Sequence, residues 1–186
     1  MLQTKHKFLA LVHLGFTFIY VLRMNLSVAV VSMKEFEWTE AQQGVLLSTF
    51  FYGYVISQIP GGVIVGKYGG KSVAGIVILT SSVLTLLTPI AADVSFYLIS
   101  VVRVCSGLAQ GMVYPALLVL LRNWSTVGDR NQMVSIATTG TETGAVLAFS
   151  LGGVLCDSYF LGTHFVFTTM TILDLLLSLI DCEFYT

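Results

Sequence analysis

Two arginines, Arg23 and Arg103, stand inside long apolar runs, and each raises a chemical question. Carrying such a charge to the centre of a bilayer costs about 2.5–3.5 kcal/mol on the insertion scale. A cost of that size is normally tolerated for a pathway or a partner. The guanidinium fork fits carboxylate and phosphate oxygens, so the chemistry suggested is capture of a small anion. Helical spacing supplies companions. Thr17, Tyr20, Arg23 and Ser27 step by 3, 3 and 4 along one otherwise apolar run. Arg103, Gln110 and Tyr114 step by 7 and 4 and share a face. Tyr20, Arg23, Arg103, Gln110 and Tyr114 are therefore the candidate substrate-binding set.

The competing reading is that each arginine snorkels or pairs internally with Glu142 or Asp174. Glu142 lies between Gly140 and Gly144. It could bind a coupling cation, H+ or Na+, pair with an arginine, or face solvent near a helix end. His13 falls at helical spacing with Thr17 and Tyr20, where it could shuttle protons or fill a structural hydrogen-bonding role. No cofactor is implied. Cys105, Cys156 and Cys182 make an odd count without metal-site spacing, so neither a metal nor a disulfide framework is expected.

The elements that must position these residues follow from composition. The 186 residues are 55% hydrophobic and 10% charged, with mean hydropathy +0.86. Soluble domains carry roughly 25% charged residues. A net charge of −1 lacks the basic signature of a nucleic-acid binder, and the hydrophobicity excludes intrinsic disorder. An all-α polytopic membrane protein remains. Six apolar runs are each long enough to cross roughly 30 Å of hydrocarbon: about Phe8–Val31, Gln43–Gly66, Ser72–Ala92, Val94–Leu121, Gln132–Cys156 and His164–Ile180. One side of these spans holds Lys5, Lys7, Lys67, Lys71, Arg122 and Arg130, and the other holds Lys34 alone. The positive-inside rule then places both termini in the cytoplasm. From these boundaries Arg23 lies roughly 22 Å from the cytoplasmic start of its span, and Arg103 roughly 13 Å from the opposite face, at 1.5 Å per residue.

Two motifs bear on identity. The first is Gly62-x-x-x-Gly66-Lys67-x-Gly69-Gly70-Lys71 between spans 2 and 3, where glycines permit a tight turn and close helix approach. The second is Arg103-x-x-x-Gly107-x-x-x-Gly111-x-x-x-Pro115 in span 4, with the small-xxx-small spacing of membrane helix packing. The first resembles the loop signature of the major facilitator superfamily, with Gly66 where the superfamily usually has an acid. The second resembles that superfamily's arginine-containing fourth-helix motif. Tyr20 to Ala29, Ser48 to Gly62, Leu87 to Ala92 and Gly111 to Ala116 are similar to segments of the sialin-like organic anion and type I sodium–phosphate cotransporter family. The match runs from about Tyr20 to Phe167, and residues 173–186 look atypical.

The resemblance implies the N-terminal six-helix bundle, a 3+3 inverted repeat, of a twelve-helix secondary transporter. Residues 1–186 would then form one bundle, inactive without its C-terminal partner or a full-length homologue. It also implies anion-binding roles for Arg23 and Arg103. Two departures bear on the substrate. Gln110 stands where many members have an acid, and Leu47 where the vesicular glutamate transporters have a histidine. Both argue against glutamate and against simple proton coupling; the resemblance implies an organic anion, such as a sialic-acid-type one, or inorganic phosphate as substrate. Plasma membrane and vesicular or lysosomal membrane stay open as locations. The alternative is a truncated, non-transporting isoform acting as a membrane binding module. An intramembrane serine protease is disfavoured, because Ser106 lacks nucleophile context and no histidine lies mid-span in spans 4 to 6.

Overall fold

The computed structural model describes residues 2–32, 38–126 and 128–156. Six α-helices follow one another, with no strand among the described residues: α1 Leu2–Ser32, α2 Glu40–Tyr68, α3 Gly70–Val94, α4 Phe96–Gln110, α5 Val113–Trp124 and α6 Arg130–Cys156. The expected spans 1, 2, 3 and 5 correspond to α1, α2, α3 and α6. The expected span at His164–Ile180, Asp174 within it, Lys34 and the atypical segment 173–186 lie outside the described residues. By length and composition, Gly70–Val94 and Phe96–Asn123 are each apolar enough to cross a membrane unaided. In α1 the stretch Phe8–Val21 is apolar, while α2 and α6 dilute their apolar residues with small and hydroxyl-bearing ones. Thr138, Thr139, Gly140, Thr141, Thr143 and Gly144 of α6 are an example.

Span 4, expected as one helix from Val94 to Leu121, is instead interrupted between α4 and α5. Pro115 explains the break. It has no N–H to give the carbonyl of Gly111, and its ring crowds that carbonyl. The chain responds with a tighter turn, in which the Met112 N–H bonds the Ala109 carbonyl at 3.3 Å.

The helix ends are set by local chemistry. Thr39 starts α2 with a reciprocal cap: its backbone N–H bonds Gln42 Oε1 at 2.9 Å, and its hydroxyl accepts from the Gln42 N–H at 3.3 Å. Gly69 joins α2 to α3 in one residue at φ +86°, a conformation that disfavours any side chain. Ser95 reverses the chain between α3 and α4, its hydroxyl accepting from the Tyr97 N–H at 3.2 Å. Asp93 is in the last turn of α3.

Two helix pairs dominate the packing, α1 along α6 and α2 along α4, with α3 laid against α4 and α5. Both pairs meet backbone to backbone. A Cβ on Gly107 would collide with the Phe50 carbonyl and lie 2.9 Å from the Tyr54 nitrogen. One on Gly53 would collide with the Val104 carbonyl. Gly140 and Gly144 stand in the same way against the carbonyls of His13 and Thr17. Without a hydrophobic drive between helices in lipid, such close van der Waals contact is the main cohesion available. Gly62 and Gly66 of the loop motif differ: open space surrounds the position of a Cβ at each. The motif's close approach comes from Gly70, against the Ala116 carbonyl and Leu120.

Apolar clusters close the two ends. One joins Phe8, Val12 and Phe16 of α1 to Val65, Val73, Leu117, Leu121 and Met133. The other joins Leu46, Ala91, Ala92 and Ile99. Between them lies a buried polar level made of Ser57, Ser81, Ser82, Thr85, Thr88, Arg103, Ser106 and Gln110.

Gly107→Leu should destabilise the chain in detergent by about 1–3 kcal/mol or more, because a backbone carbonyl blocks the added side chain. Gly75→Ala, where the space is open, should be neutral or stabilising by up to about 1 kcal/mol. Thermal unfolding followed by circular dichroism checks both; similar effects for the two would refute the glycine-contact account.

Candidate functional site

Most hydroxyls of the polar level are satisfied by their own helices, and Ser81 Oγ alone of them has no partner among the described residues. Thr85 Oγ1 donates to the Ser81 carbonyl at 2.7 Å, Thr88 Oγ1 to Leu84 at 2.9 Å and Ser106 Oγ to Val102 at 2.9 Å. This back-bonding lets short polar side chains sit among apolar neighbours without a partner helix. The longer side chains cannot use it. Arg103 is 7% exposed and Gln110 4% exposed, and Arg103 Nε and Gln110 Oε1 have no hydrogen-bond partner among the described residues. Both lie on the α4 face whose Gly107 and Gly111 press against α2.

Arg23, on α1, has a different setting. Its guanidinium carbon lies 4.7 Å from the centre of the Tyr54 ring, 4.9 Å from Phe50, 5.2 Å from Phe51 and 5.3 Å from Tyr20. Its Nη1 donates to the Tyr20 hydroxyl at 3.5 Å. A cation over an aromatic face gains about 0.5–1 kcal/mol when exposed and about 2 when desolvated. The rings engage the π surface of the group and leave most of its five in-plane N–H donors for an acceptor. Tyr114 closes this wall. It neighbours Tyr20, Tyr54 and Arg23, and its ring meets Phe16 edge-on at 5.8 Å.

Tyr20, Arg23 and Tyr114, three of the five expected binding residues, are therefore brought together. Arg103 and Gln110 belong to the adjoining buried level. Phe50 links the two settings, with its ring beside Arg23 and its carbonyl against Gly107, one turn beyond Arg103. Phe50, Phe51 and Tyr54 had no assigned role in the sequence reading. The signal that could have found them is the spacing of Phe50 and Tyr54, one helical turn apart and stacked at 6.0 Å.

Glu142 is exposed on α6, where its carboxylate accepts from Thr141 Oγ1 at 3.5 Å. No ion pair joins it to Arg23 or Arg103 among the described residues. His13 fills a structural role: its Nδ1–H donates to the Ile136 carbonyl at 3.0 Å, tying α1 to α6 beside Gly140. Among the described residues no cluster of His, Cys, Asp or Glu could hold a metal. Cys105 is a free, exposed thiol.

The Major Facilitator Superfamily model matches residues 12–182. Human sialin is 34% identical over 89% of this chain. A probable small intestine urate exporter from Mus musculus is 40% identical over 71% of the chain. The chain spans 39% of the length of human sialin and 26% of the urate exporter. Among solved structures, a bacterial homologue of the human lysosomal transporter Spinster, inward-facing and occupied, superposes with a TM-score of 0.80 at 18% identity. That likeness, covering 94% of this chain and 43% of the other, concerns the fold alone.

Because Glu142 neither pairs with an arginine nor lies buried, Glu142→Gln should change stability by no more than about 0.5 kcal/mol. Added to Arg103→Ala, it should restore none of the stability that variant loses. Recovery in the double variant, measured by thermal unfolding in detergent, would reveal an Arg103–Glu142 pair.

Proposed function

The chain belongs to the major facilitator superfamily, in its sialin-like organic anion and sodium–phosphate cotransporter family, and from that premise we propose that it is the N-terminal half of a secondary active transporter for small anions. As a member it is an integral, multi-pass membrane protein. The observation that carries the substrate class is Arg23: a guanidinium held against four aromatic rings, with no carboxylate partner among the described residues.

The anion docks against the free edge of that guanidinium. The forked donors take two carboxylate or phosphate oxygens, and the Tyr20 and Tyr114 hydroxyls serve the remaining acceptors. Arg103 adds positive potential from the adjoining buried level, where low dielectric strengthens its reach. Gln110 offers a neutral amide, so no acid at that position repels the incoming charge. Coupling to H+ or Na+ falls to Glu142, the acid available on α6. Both termini lie in the cytoplasm, by the lysine and arginine asymmetry. A second six-helix bundle completes the cavity, and rocking of one bundle against the other alternates access. The chain alone accordingly binds without transporting.

The test joins the chain to a second bundle in liposomes and follows binding and uptake of labelled phosphate and organic anions. Arg23→Lys and Arg103→Lys keep the charge and lose the fork. The loss of one charge-assisted contact, about 1.5–3 kcal/mol, corresponds to roughly a 10- to 150-fold weaker affinity. Near-normal affinity in both variants would remove the arginines from the site.

A further inference from the structure

Where α5 ends and α6 begins, a cavity of about 640 Å³ opens between the two helices. Leu118, Val119 and Val134 form an apolar wall, and Arg122, Arg130 and Asn131 stand at the polar end. Both arginines are exposed, and neither has an ion pair or hydrogen bond among the described residues. The adjacent acid, Asp129, accepts a hydrogen bond from Thr126 Oγ1 at 2.8 Å. Arg122 lies at the end of the apolar stretch Phe96–Asn123, which puts it at headgroup depth in a bilayer. The contact of Gly70 with Leu120 places the Lys67–Lys71 turn at this same end of the bundle.

We propose that this groove binds an anionic phospholipid, with its phosphate between Arg122 and Arg130 and one acyl chain along Leu118, Val119 and Val134. The two halves of the cavity match the two halves of a lipid. Guanidinium groups without protein partners recognise a phosphate by forked hydrogen bonding. A free phosphate would leave the apolar wall uncovered. A zwitterionic lipid brings its own cation, which opposes the arginines. The net negative headgroup therefore selects among lipids, and the acyl chain selects lipid over soluble anion. This site is separate from the aromatic wall around Arg23 and does not depend on the substrate proposed there.

Native mass spectrometry of the purified 186-residue chain in detergent tests the proposal, with phosphatidylglycerol and phosphatidylcholine of matched acyl chains as probes. The unaltered chain should retain phosphatidylglycerol roughly tenfold more strongly, given two arginines acting near a surface. The double variant Arg122→Gln/Arg130→Gln should lose that preference. Lys67→Gln/Lys71→Gln, which removes equal charge from the same end, should keep it. Equal retention of the two lipids by the unaltered chain overturns the proposal however the variants fold, and would leave the groove as a contact surface for protein. An equal loss in the lysine variant also overturns it, since general charge would then suffice. Displacement of the lipid by inorganic phosphate at comparable concentration overturns the assignment to a lipid.

Discussion

The close approach of helix backbones at glycine is the constraint from which the rest of the bundle follows. Gly107 and Gly53 bring α2 against α4, and Gly140 and Gly144 bring α1 against α6. A methyl group at any of them would strike a carbonyl. Where α2 meets α4, the Phe50 backbone lies against Gly107 while its ring lies beside Arg23. Where α1 meets α6, Thr17 and Tyr20 lie against Gly144, and Arg23 continues the same row of α1. The site is thus positioned by main-chain contacts as well as by side-chain packing.

Polarity is layered in a way that serves the same end. Apolar clusters close both ends of the bundle, and a band of hydroxyls, an amide and a guanidinium occupies the middle. Ser57, Thr85, Thr88 and Ser106 discharge their hydrogen bonds into their own helices, so they cost little in an apolar medium. Arg103 and Gln110 retain unused capacity. Arg23 is handled differently, by aromatic rings that stabilise its charge and a single hydrogen bond from Nη1 to the Tyr20 hydroxyl. The middle of the bundle therefore holds positive charge that no acid among the described residues cancels.

Much of this was legible in the sequence, because charge and small residues inside apolar runs have few explanations. Arg23 and Arg103, the Tyr20 and Tyr114 companions, the span-4 glycines and four of the spans as single helices follow from spacing. The interruption of span 4 was hidden by its unbroken hydropathy, although Pro115 carried the reason. Phe50, Phe51 and Tyr54 were hidden for the opposite reason: on a helix in a membrane, aromatic residues look like lipid-facing bulk until a cation is seen beside them. Glu142, between two glycines, left three readings open: a coupling cation, an arginine partner or solvent. Those glycines face α1, and the residue between them points elsewhere. Periodicity gives a face, but not which neighbour that face meets.

The central claim is that the Arg23 guanidinium, held by its aromatic wall, is the docking point for an anion. Anomalous diffraction from the chain joined to a second bundle and crystallised with selenate, a heavy-atom analogue of a tetrahedral oxyanion, tests it most directly. The account predicts a selenium peak whose oxygens lie about 2.7–2.9 Å from the Arg23 nitrogens, the distance of a charge-assisted hydrogen bond. An ordered selenate elsewhere in the cavity, with Arg23 still facing only its rings, would contradict it.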